Sequence, residues 1–385
     1  MKEINTAMIM NLLHREGRMT RAELAKSTKL SATPVSALIE ELIGKNFVEE
    51  IGEKPSAGAG RKAITLQINK DGGYVIGISF GNRYLICAVL NLHGQLISEY
   101  KTKIAFGNDS LAEQIHSALR ECMAQAESVR FERIKGIGIS TPGIIDEQEG
   151  TVLFSSLLRL TNFNLRRQVA AFFPDVPIKI VNDSNAAAFA EHYSGAGKDK
   201  SSLVYFTINE GIGAGIILNG QIHSGYRGSA GEIGHIPVDS QGEICNCGQR
   251  GCVETVLTSP FILKRCQDAA RELGVAVPAD FEEALARYDD GEAWLEPIFD
   301  RILDVSRLMI ASAVNFMSPE AVIIEGWMNR SAKFSDKLSD ALEKFPFPFP
   351  FTRDRVLQAS FGDKGALYGS ATIMLQKIFS ASVLD

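Results

Sequence analysis

The sequence predicts an α/β protein that carries a small helical domain at its N-terminus. Apolar side chains recur at helical spacing in short blocks over residues 5–45, whereas β-rich apolar runs alternate with helical segments from Gly73 onward. The 385 residues exceed what one hydrophobic core normally takes up. We therefore expect three domains, over residues 1–70, 71–190 and 191–385.

Composition narrows the class of protein. Hydrophobic residues make up 45% of the chain, which is typical of a globular protein. The first 70 residues carry three more basic than acidic side chains, and the remainder carries nine more acidic than basic. No apolar run reaches the length of a membrane span, and the N-terminal segment lacks a signal-peptide pattern. We expect a cytoplasmic protein, without membrane insertion, in which only the basic head meets a polyanion.

The first domain is predicted to contain a helix, a short helix, a tight turn and a longer helix. The first helix covers Asn5–Glu16. Thr20 is expected to cap the second helix, with Glu23 three positions later completing a capping box. Ser31 is expected to cap the third helix, which covers Thr33–Lys45. This order is typical of a helix-turn-helix that reads DNA with its last helix.

Two strands, FVEEIG and AITLQI, are predicted next, and the glycine-rich basic loop KPSAGAGRK joins them. Such a hairpin after a helix-turn-helix is a wing. The small residues at the start of the third helix that lie off its apolar stripe are the candidates for base contacts: Thr33, Ser36 and Ala37. Arg61 and Lys62 of the loop are the candidates for phosphate or minor-groove contacts. The alternative is a three-helix interaction module with no DNA role.

One stretch, HIPVDSQGEICNCGQRGCVE over residues 235–254, predicts a metal site. It holds four good zinc ligands: His235, Cys245, Cys247 and Cys252. Three thiolates and one imidazole fill a tetrahedral shell and leave no position for water, so the expected Zn²⁺ is structural. The alternative is a group of free thiols or a disulfide, which explains neither the histidine nor the missing secretory signal.

The acids at both ends of this stretch carry a resemblance to a known family. GEIGH over residues 231–235, followed by CNCGQRGCVE, resembles the signature of the ROK family, which groups sugar kinases with sugar-responsive transcriptional repressors. The resemblance implies a two-lobed, actin-like ATPase (ribonuclease H-like) fold for the body. The predicted winged-helix head resembles that of ROK repressors, and ROK kinases lack it.

The resemblance also implies a sugar site. In ROK kinases the Asp of NDxNAAA is the general base that takes the proton of the sugar hydroxyl, and the Asn contacts the sugar. Asn182 and Asp183 stand at those positions, and Glu232, His235 and Glu254 complete the candidate ligand-binding set. Taken alone, an Asn-Asp pair between a strand and a helix is more often a helix N-cap. Three acids and an amide nevertheless suit the many hydroxyl donors of a sugar.

The nucleotide-binding pattern of the kinases is degenerate here. The kinase motif DxGGT is replaced by SFGNR at residues 79–83, and GTGIGxG by NEGIGAG at residues 209–215. A kinase GGG is replaced by Glu325-Gly326-Trp327. The glycines that remain in NEGIGAG favour a tight β-hairpin over a phosphate loop. No catalytic residue is therefore assigned, and Asp183 occupies a vestigial base position.

The sequence thus predicts a sugar-responsive transcriptional repressor and no enzyme. It is expected to bind double-stranded operator DNA as a homodimer or tetramer, and to be released by a sugar or sugar phosphate. The alternative is an ATP-dependent sugar kinase with an added DNA-binding domain. An activator also stays open.

Overall fold

A computed structural model describes residues 1–53, 63–81, 83–349 and 351–380. The chain forms two compact units. Unit 1 contains Met1–Val181 together with Ser370–Asp385, and unit 2 contains Asn182–Gly369. None of the described helices is both long enough and apolar enough to cross a membrane.

The head of unit 1 is a three-helix domain with a small sheet. Its helices are α1 (Lys2–Glu16), α2 (Arg21–Thr28) and α3 (Ala32–Gly44). Its strands are β1 (Met19–Thr20), β2 (Val48–Glu53) and β3 (Ile64–Ile68), arranged in the antiparallel order β1-β3-β2. The two predicted wing strands therefore pair, and a short strand before α2 joins them.

Of the two helix caps predicted in the head, only the one at α2 forms side-chain hydrogen bonds. The capping box at α2 is confirmed, because the Thr20 hydroxyl accepts a hydrogen bond from Glu23 N and the Glu23 carboxylate accepts one from Thr20 N. Ser31 stands at the predicted N-cap position of α3, but its side chain makes no capping hydrogen bond. The stripe that α3 buries comprises Val35, Leu38, Ile39 and Leu42.

The body of unit 1 is built on a five-stranded sheet of order β11-β7-β4-β5-β6. Its strands are β4 (Tyr74–Phe80), β5 (Tyr84–Asn91), β6 (Leu96–Lys103), β7 (Ile134–Thr141) and β11 (Ile178–Asn182). A second sheet comprises β8 (Ile144–Asp146), β9 (Thr151–Ser155) and β10 (Leu160–Asn164). The helices are α4 (Asn108–Gln125) and α5 (Leu165–Ala170).

Unit 2 has a five-stranded sheet of order β14-β13-β12-β15-β16. Its strands are β12 (Leu203–Ile208), β13 (Ile212–Leu218), β14 (Gln221–Ile222), β15 (Ala321–Gly326) and β16 (Val356–Gln358). The helices are α6 (Asp183–Ser194), α7 (Glu254–Leu257), α8 (Ser259–Leu273), α9 (Phe281–Asp289), α10 (Glu296–Met317), α11 (Ala332–Glu343) and α12 (Gly365–Phe379). The last of these begins in unit 2 and ends in unit 1.

The two five-stranded sheets repeat one arrangement. In each sheet the first strand along the chain is central, the next two strands follow antiparallel on one side, and the fourth is parallel on the other side. Two lobes with this repeated order agree with the actin-like fold that the resemblance implies. The hairpin expected at NEGIGAG is present, since Ile208 pairs with Ile212 across the turn between β12 and β13.

The division of the body differs from the expected boundaries. The predicted limit after residue 190 falls inside α6, whereas the two units divide between Val181 and Asn182. The cause is the packing of α6 against β13, where a Cβ added at Gly215 would lie 2.2 Å from the Ser184 carbonyl oxygen. The C-terminal segment also returns to unit 1, a long-range contact that no local pattern signals.

Candidate metal centre and ligand site

The four predicted metal ligands come together in unit 2. Their ligand atoms all lie within 4.8 Å of one another: those of His235, Cys245, Cys247 and Cys252. A tight hairpin holds the first two cysteines, with Cys245 N donating to Gln249 O at 2.7 Å. Gly251 has φ of 68° and leaves no room for a side chain, because a Cβ would stand 1.6 Å from the Asp239 carbonyl oxygen.

The spacing of these atoms fits one tetrahedral ion. Cys245 Sγ lies 3.6 Å from His235 Nδ1, and Cys247 Sγ lies 3.7 Å from Cys252 Sγ. Zinc bonds of ordinary length at tetrahedral angles separate a sulfur from a nitrogen by about 3.6 Å and two sulfurs by about 3.8 Å. A disulfide needs about 2.0 Å between sulfurs. All three cysteines are free thiols, so the donors present fit a metal and not a disulfide.

Two of the three thiols resist ionisation. Burial raises the pKa of Cys245 to about 12, and burial also raises the pKa of Cys252. Cys247 is exposed, and the backbone N–H of Gln249 is the main cause that lowers the pKa of its thiol. Because a bound divalent cation stabilises the thiolates that ligate it, metal binding at this cluster would release protons.

Two carboxylates flank the imidazole of this cluster. Glu232 Oε2 lies 3.9 Å from His235 Nε2, and Glu254 Oε2 lies 3.8 Å from His235 Nδ1. Cys245 Sγ donates to Glu254 Oε2 at 3.3 Å. His235 therefore presents Nδ1 to the cluster and Nε2 to the side on which Glu232 lies.

Strand β13 is the scaffold that brings the acidic loop and α6 together. Gly231 precedes Glu232 with φ of 90°, and a Cβ there would lie 1.9 Å from the Ala214 carbonyl oxygen. A Cβ at Gly213 would lie 2.3 Å from the Ser184 hydroxyl of α6. Gly231 permits no side chain, and both close approaches place the first turn of α6 on the same strand as the GEIGH loop.

The Asn-Asp pair occupies the junction of β11 and α6. Asn182 caps α6, since its Oδ1 accepts from Ser184 N at 3.0 Å and from Asn185 N at 3.3 Å. The structural role that such a pair usually has is thus present, and only the amide nitrogen of Asn182 is left for a ligand. Asp183 keeps some contact with solvent, but burial by the surrounding protein raises its pKa to about 6, and the charge of Glu232 adds to the rise.

Two residues that depart from the kinase pattern, Glu325 and Asn209, are hydrogen-bonded to each other. Glu325 accepts hydrogen bonds from Thr207 Oγ1 at 2.8 Å and from Asn209 Nδ2 at 3.0 Å. The sequence singled out Glu325 and Asn209 separately and missed Thr207. The parallel pairing of β12 with β15, in register at Thr207 and Glu325, is what joins them.

The candidate DNA-contacting residues lie at the start of α3. Thr33 and Ala37 are exposed, and Ser36 is half-buried. Arg61 and Lys62 lie outside the described residues. The apolar stripe of α3 faces inward, which leaves small residues exposed at the N-terminal end of the helix. A helix-turn-helix directs this end into the major groove.

Comparison with protein families matches both parts of the chain. Residues 4–49 match the winged helix-turn-helix DNA-binding model, and residues 75–377 match the ROK family model. The putative xylose repressor of Caldicellulosiruptor sp. (strain Rt8B.4) is 29% identical over 98% of this chain and 97% of its own length.

Two solved structures show how the similarity is distributed. A ROK family transcriptional regulator, a homologue of the Escherichia coli MLC protein, superposes with a TM-score of 0.86 and 25% identity over 100% of this chain and 98% of its own. A ROK family glucokinase from Streptomyces griseus superposes with a TM-score of 0.67 and 23% identity, covering 78% of this chain and 99% of its own. The glucokinase shares the fold of the body, and the regulator spans the head as well.

Proposed function

The chain belongs to the ROK family, and on that premise we propose that it is a transcriptional repressor that a sugar releases from operator DNA. The proposal depends on one observation: the chain combines a winged helix-turn-helix head with a body in which His235 joins the group of four metal ligands to two acids, Glu232 and Glu254. The similarity to a xylose repressor over nearly the whole chain supports it.

The proposed DNA surface consists of the start of α3 and the loop of the wing. Thr33, Ser36 and Ala37 would contact base edges in the major groove, while Arg61 and Lys62 would contact phosphates or the minor groove. Two heads of a symmetric homodimer, or of a tetramer built from such dimers, would read an operator with two-fold symmetry.

The metal that fits the cluster is Zn²⁺, in a structural role. When bound, zinc supplies a crosslink between the hairpin and the GEIGH loop. His235 would then bind the metal through Nδ1 and keep Nε2 for the sugar. The carboxylates of Asp183, Glu232 and Glu254 would accept hydrogen bonds from sugar hydroxyls, and Asn182 would contribute its amide nitrogen.

We assign no catalytic residue. Glu325, which accepts hydrogen bonds from Thr207 and Asn209, and Glu210 in the turn after β12 would place acids where the resemblance implies that ROK kinases bind the nucleotide. Like charges repel a triphosphate. Asp183 keeps the position of the kinase base without a phosphate donor. An ATP-coupled assay with a panel of hexoses separates the alternatives, because turnover above background would make the protein a sugar kinase.

Helix α12 provides a route from the ligand site to the head. At its second turn, a Cβ on Gly369 would lie 1.8 Å from the carbonyl oxygen of Ala186, so α12 packs tightly on α6. At its end, the Phe379 ring stacks on His14 of α1 with centroids 4.8 Å apart. Asn11 Nδ2 also donates to the Phe379 carbonyl oxygen at 3.3 Å. Since α6 begins at the ligand site, we infer that α12 carries the sugar signal to α1.

Replacing both Asn11 and His14 by Ala is expected to uncouple the two functions. The double variant should bind DNA and sugar with affinities near those of the wild type, because neither residue lies on the start of α3 or in the ligand site. Sugar should no longer weaken DNA binding, as fluorescence anisotropy with labelled DNA would show. Glu3→Ala, on an exposed position of the same helix, is the matched control. Normal sugar-driven release by the double variant would exclude this route.

The proposed function predicts the compartment in which the protein acts and whether it lowers or raises transcription. A repressor acts on the chromosome, so the proposed function places the protein in the cytoplasm. Deleting its gene should raise transcription of the target genes. A fall in their transcription would identify an activator.

A further inference from the structure

We propose that Glu191 is a positioning residue of the sugar response, because its buried carboxylate fixes the turn before α12 on helix α6. This inference rests on the proposed function, since it concerns how the ligand site in unit 2 regulates DNA binding. Glu191 lies outside both the proposed ligand site and the proposed DNA surface, so its effect would be on the coupling between them.

Glu191 is a fully buried acid in the third turn of α6, with 0% of its surface exposed. Its Oε1 accepts hydrogen bonds from Ser360 N at 2.7 Å and from Phe361 N at 3.1 Å. Its Oε2 accepts one from Ala196 N at 2.8 Å. Backbone N–H groups therefore satisfy both oxygens of the carboxylate.

No cation balances the charge of this carboxylate. Among the residues that the structure describes, no lysine, arginine or histidine forms an ion pair with Glu191. A buried carboxylate without a cation is costly and persists only where donors replace the water that it has lost. A leucine would fill this space without that cost. We therefore attribute the acid to what an apolar side chain cannot do, which is to fix a distant segment by directional hydrogen bonds.

The distant segment is the turn between β16 and α12. Ser360 and Phe361 follow β16 and precede Gly365, the first residue of α12. Beyond this turn the two helices meet through small groups, since a Cβ added at Gly365 would lie 3.2 Å from the Ala187 Cβ. Packing of this kind limits how closely the helices approach, but it is not directional. The bonds of Glu191 are directional, so they determine where the start of α12 lies along α6.

Helix α6 spans the distance from the ligand site to Glu191. It begins at Asp183, one of the proposed sugar ligands, and Glu191 lies eight residues further on, which is about 12 Å along a helix. A helix of this length moves as one body. A shift of Asp183 on sugar binding would therefore displace the Glu191 carboxylate and, through its bonds to Ser360 and Phe361, the turn that leads into α12.

Fluorescence anisotropy with labelled DNA and full-length, zinc-loaded protein tests the inference. The probe is whichever of glucose, N-acetylglucosamine, xylose, glucose 6-phosphate and N-acetylglucosamine 6-phosphate releases DNA most strongly from the wild type. The measured quantity is the factor by which the saturating probe weakens DNA binding, and such coupling factors are typically about 5- to 150-fold. In Glu191→Leu, which removes all three hydrogen bonds, the factor should fall to within about twofold of one. DNA affinity without the probe, and probe affinity by calorimetry, should stay close to those of the wild type.

Ser360→Pro tests the same contact from its other end. Proline has no backbone N–H, so this variant removes the shortest of the three bonds at an exposed position and leaves α6 unchanged. The coupling factor should fall at least about threefold. Ser360→Ala, which keeps the N–H, is the matched control and should respond as the wild type does. If Glu191→Leu does not fold, this pair decides.

The outcomes separate this inference from the proposed function. If Glu191→Leu or Ser360→Pro binds DNA and probe and still releases DNA as the wild type does, the positioning role is overturned while the sugar-responsive repressor stands. Loss of probe binding itself in Ser360→Pro would also overturn it, because the turn would then maintain the ligand site and not the coupling. If no probe releases DNA from the wild type, the proposed function fails and this inference fails with it.

Discussion

Cys247→Ser is expected to empty the metal site and abolish the response to sugar while DNA binding persists. One of four ligands is lost, and removing even an outer partner of a ligand typically weakens metal binding about 10- to 100-fold. We therefore expect more than about 100-fold weaker zinc affinity here. Without the metal crosslink, the hairpin that carries Cys245 and Cys247 is no longer tied to the imidazole of His235, which lies between Glu232 and Glu254. The head is in unit 1 and the metal ligands are in unit 2, so the head should still bind DNA.

Metal analysis of the purified variant, followed by DNA-release titration with sugar, checks this expectation. Cys266→Ser is the matched control, because Cys266 is a buried thiol of the same unit on α8 outside the cluster. That control should keep one zinc per chain. A Cys247→Ser protein with full metal content and a normal response would show that the cluster does not organise the site.

Asp183→Asn is expected to weaken sugar binding by about 10- to 100-fold, since a hydrogen bond to a charged acceptor contributes about 1.5–3 kcal/mol. Asn has the same shape and keeps an acceptor oxygen, so the loss measures the charge. The fold should survive, because burial raises the pKa of Asp183 and its ionised form is therefore unfavourable without a ligand.

The pH dependence of sugar affinity, measured for the wild type and for Asp183→Asn, provides a second test of Asp183. Sugar hydroxyls bind the carboxylate, so protonation of Asp183 competes with the sugar. In the wild type, with the pKa raised to about 6, affinity should be complete above that pH and fall below it by up to about tenfold per pH unit. In Asp183→Asn the part of this dependence that Asp183 causes should disappear, and only the contribution of Glu232, whose pKa burial also raises, should remain. A variant that binds as the wild type does at every pH would remove Asp183 from the site.

How much of the structure the sequence could predict depended on how local each signal was. The capping box of α2 and the hairpin between β12 and β13 were predictable, because the residues that determine them are neighbours in the chain. The four metal ligands were equally visible, since 18 consecutive residues contain all of them. The N-cap position of Ser31 was predictable from its residue type, but the absence of its side-chain hydrogen bond was not.

Contacts between distant segments were beyond the sequence patterns. The bond between Glu325 and Thr207 depends on the parallel register of β12 and β15, which are more than 100 residues apart. The contact of Phe379 with His14 joins the two ends of the chain. For Asn182 the sequence offered two roles, and the structure shows that the capping role uses the oxygen of the amide. Such contacts depend on tertiary packing, for which a single sequence contains no periodic signal.

The central claim is that sugar binding beside the metal cluster lowers the affinity of the head for DNA. The most direct test uses zinc-loaded, full-length protein and a DNA site that it has selected from a random duplex pool. Sugars and sugar phosphates are titrated into the complex while anisotropy reports bound DNA. We predict that at least one sugar or sugar phosphate releases the DNA, and that the same compound stabilises the free protein against heat. Stabilisation by sugar with no change in DNA occupancy at saturation would contradict the account.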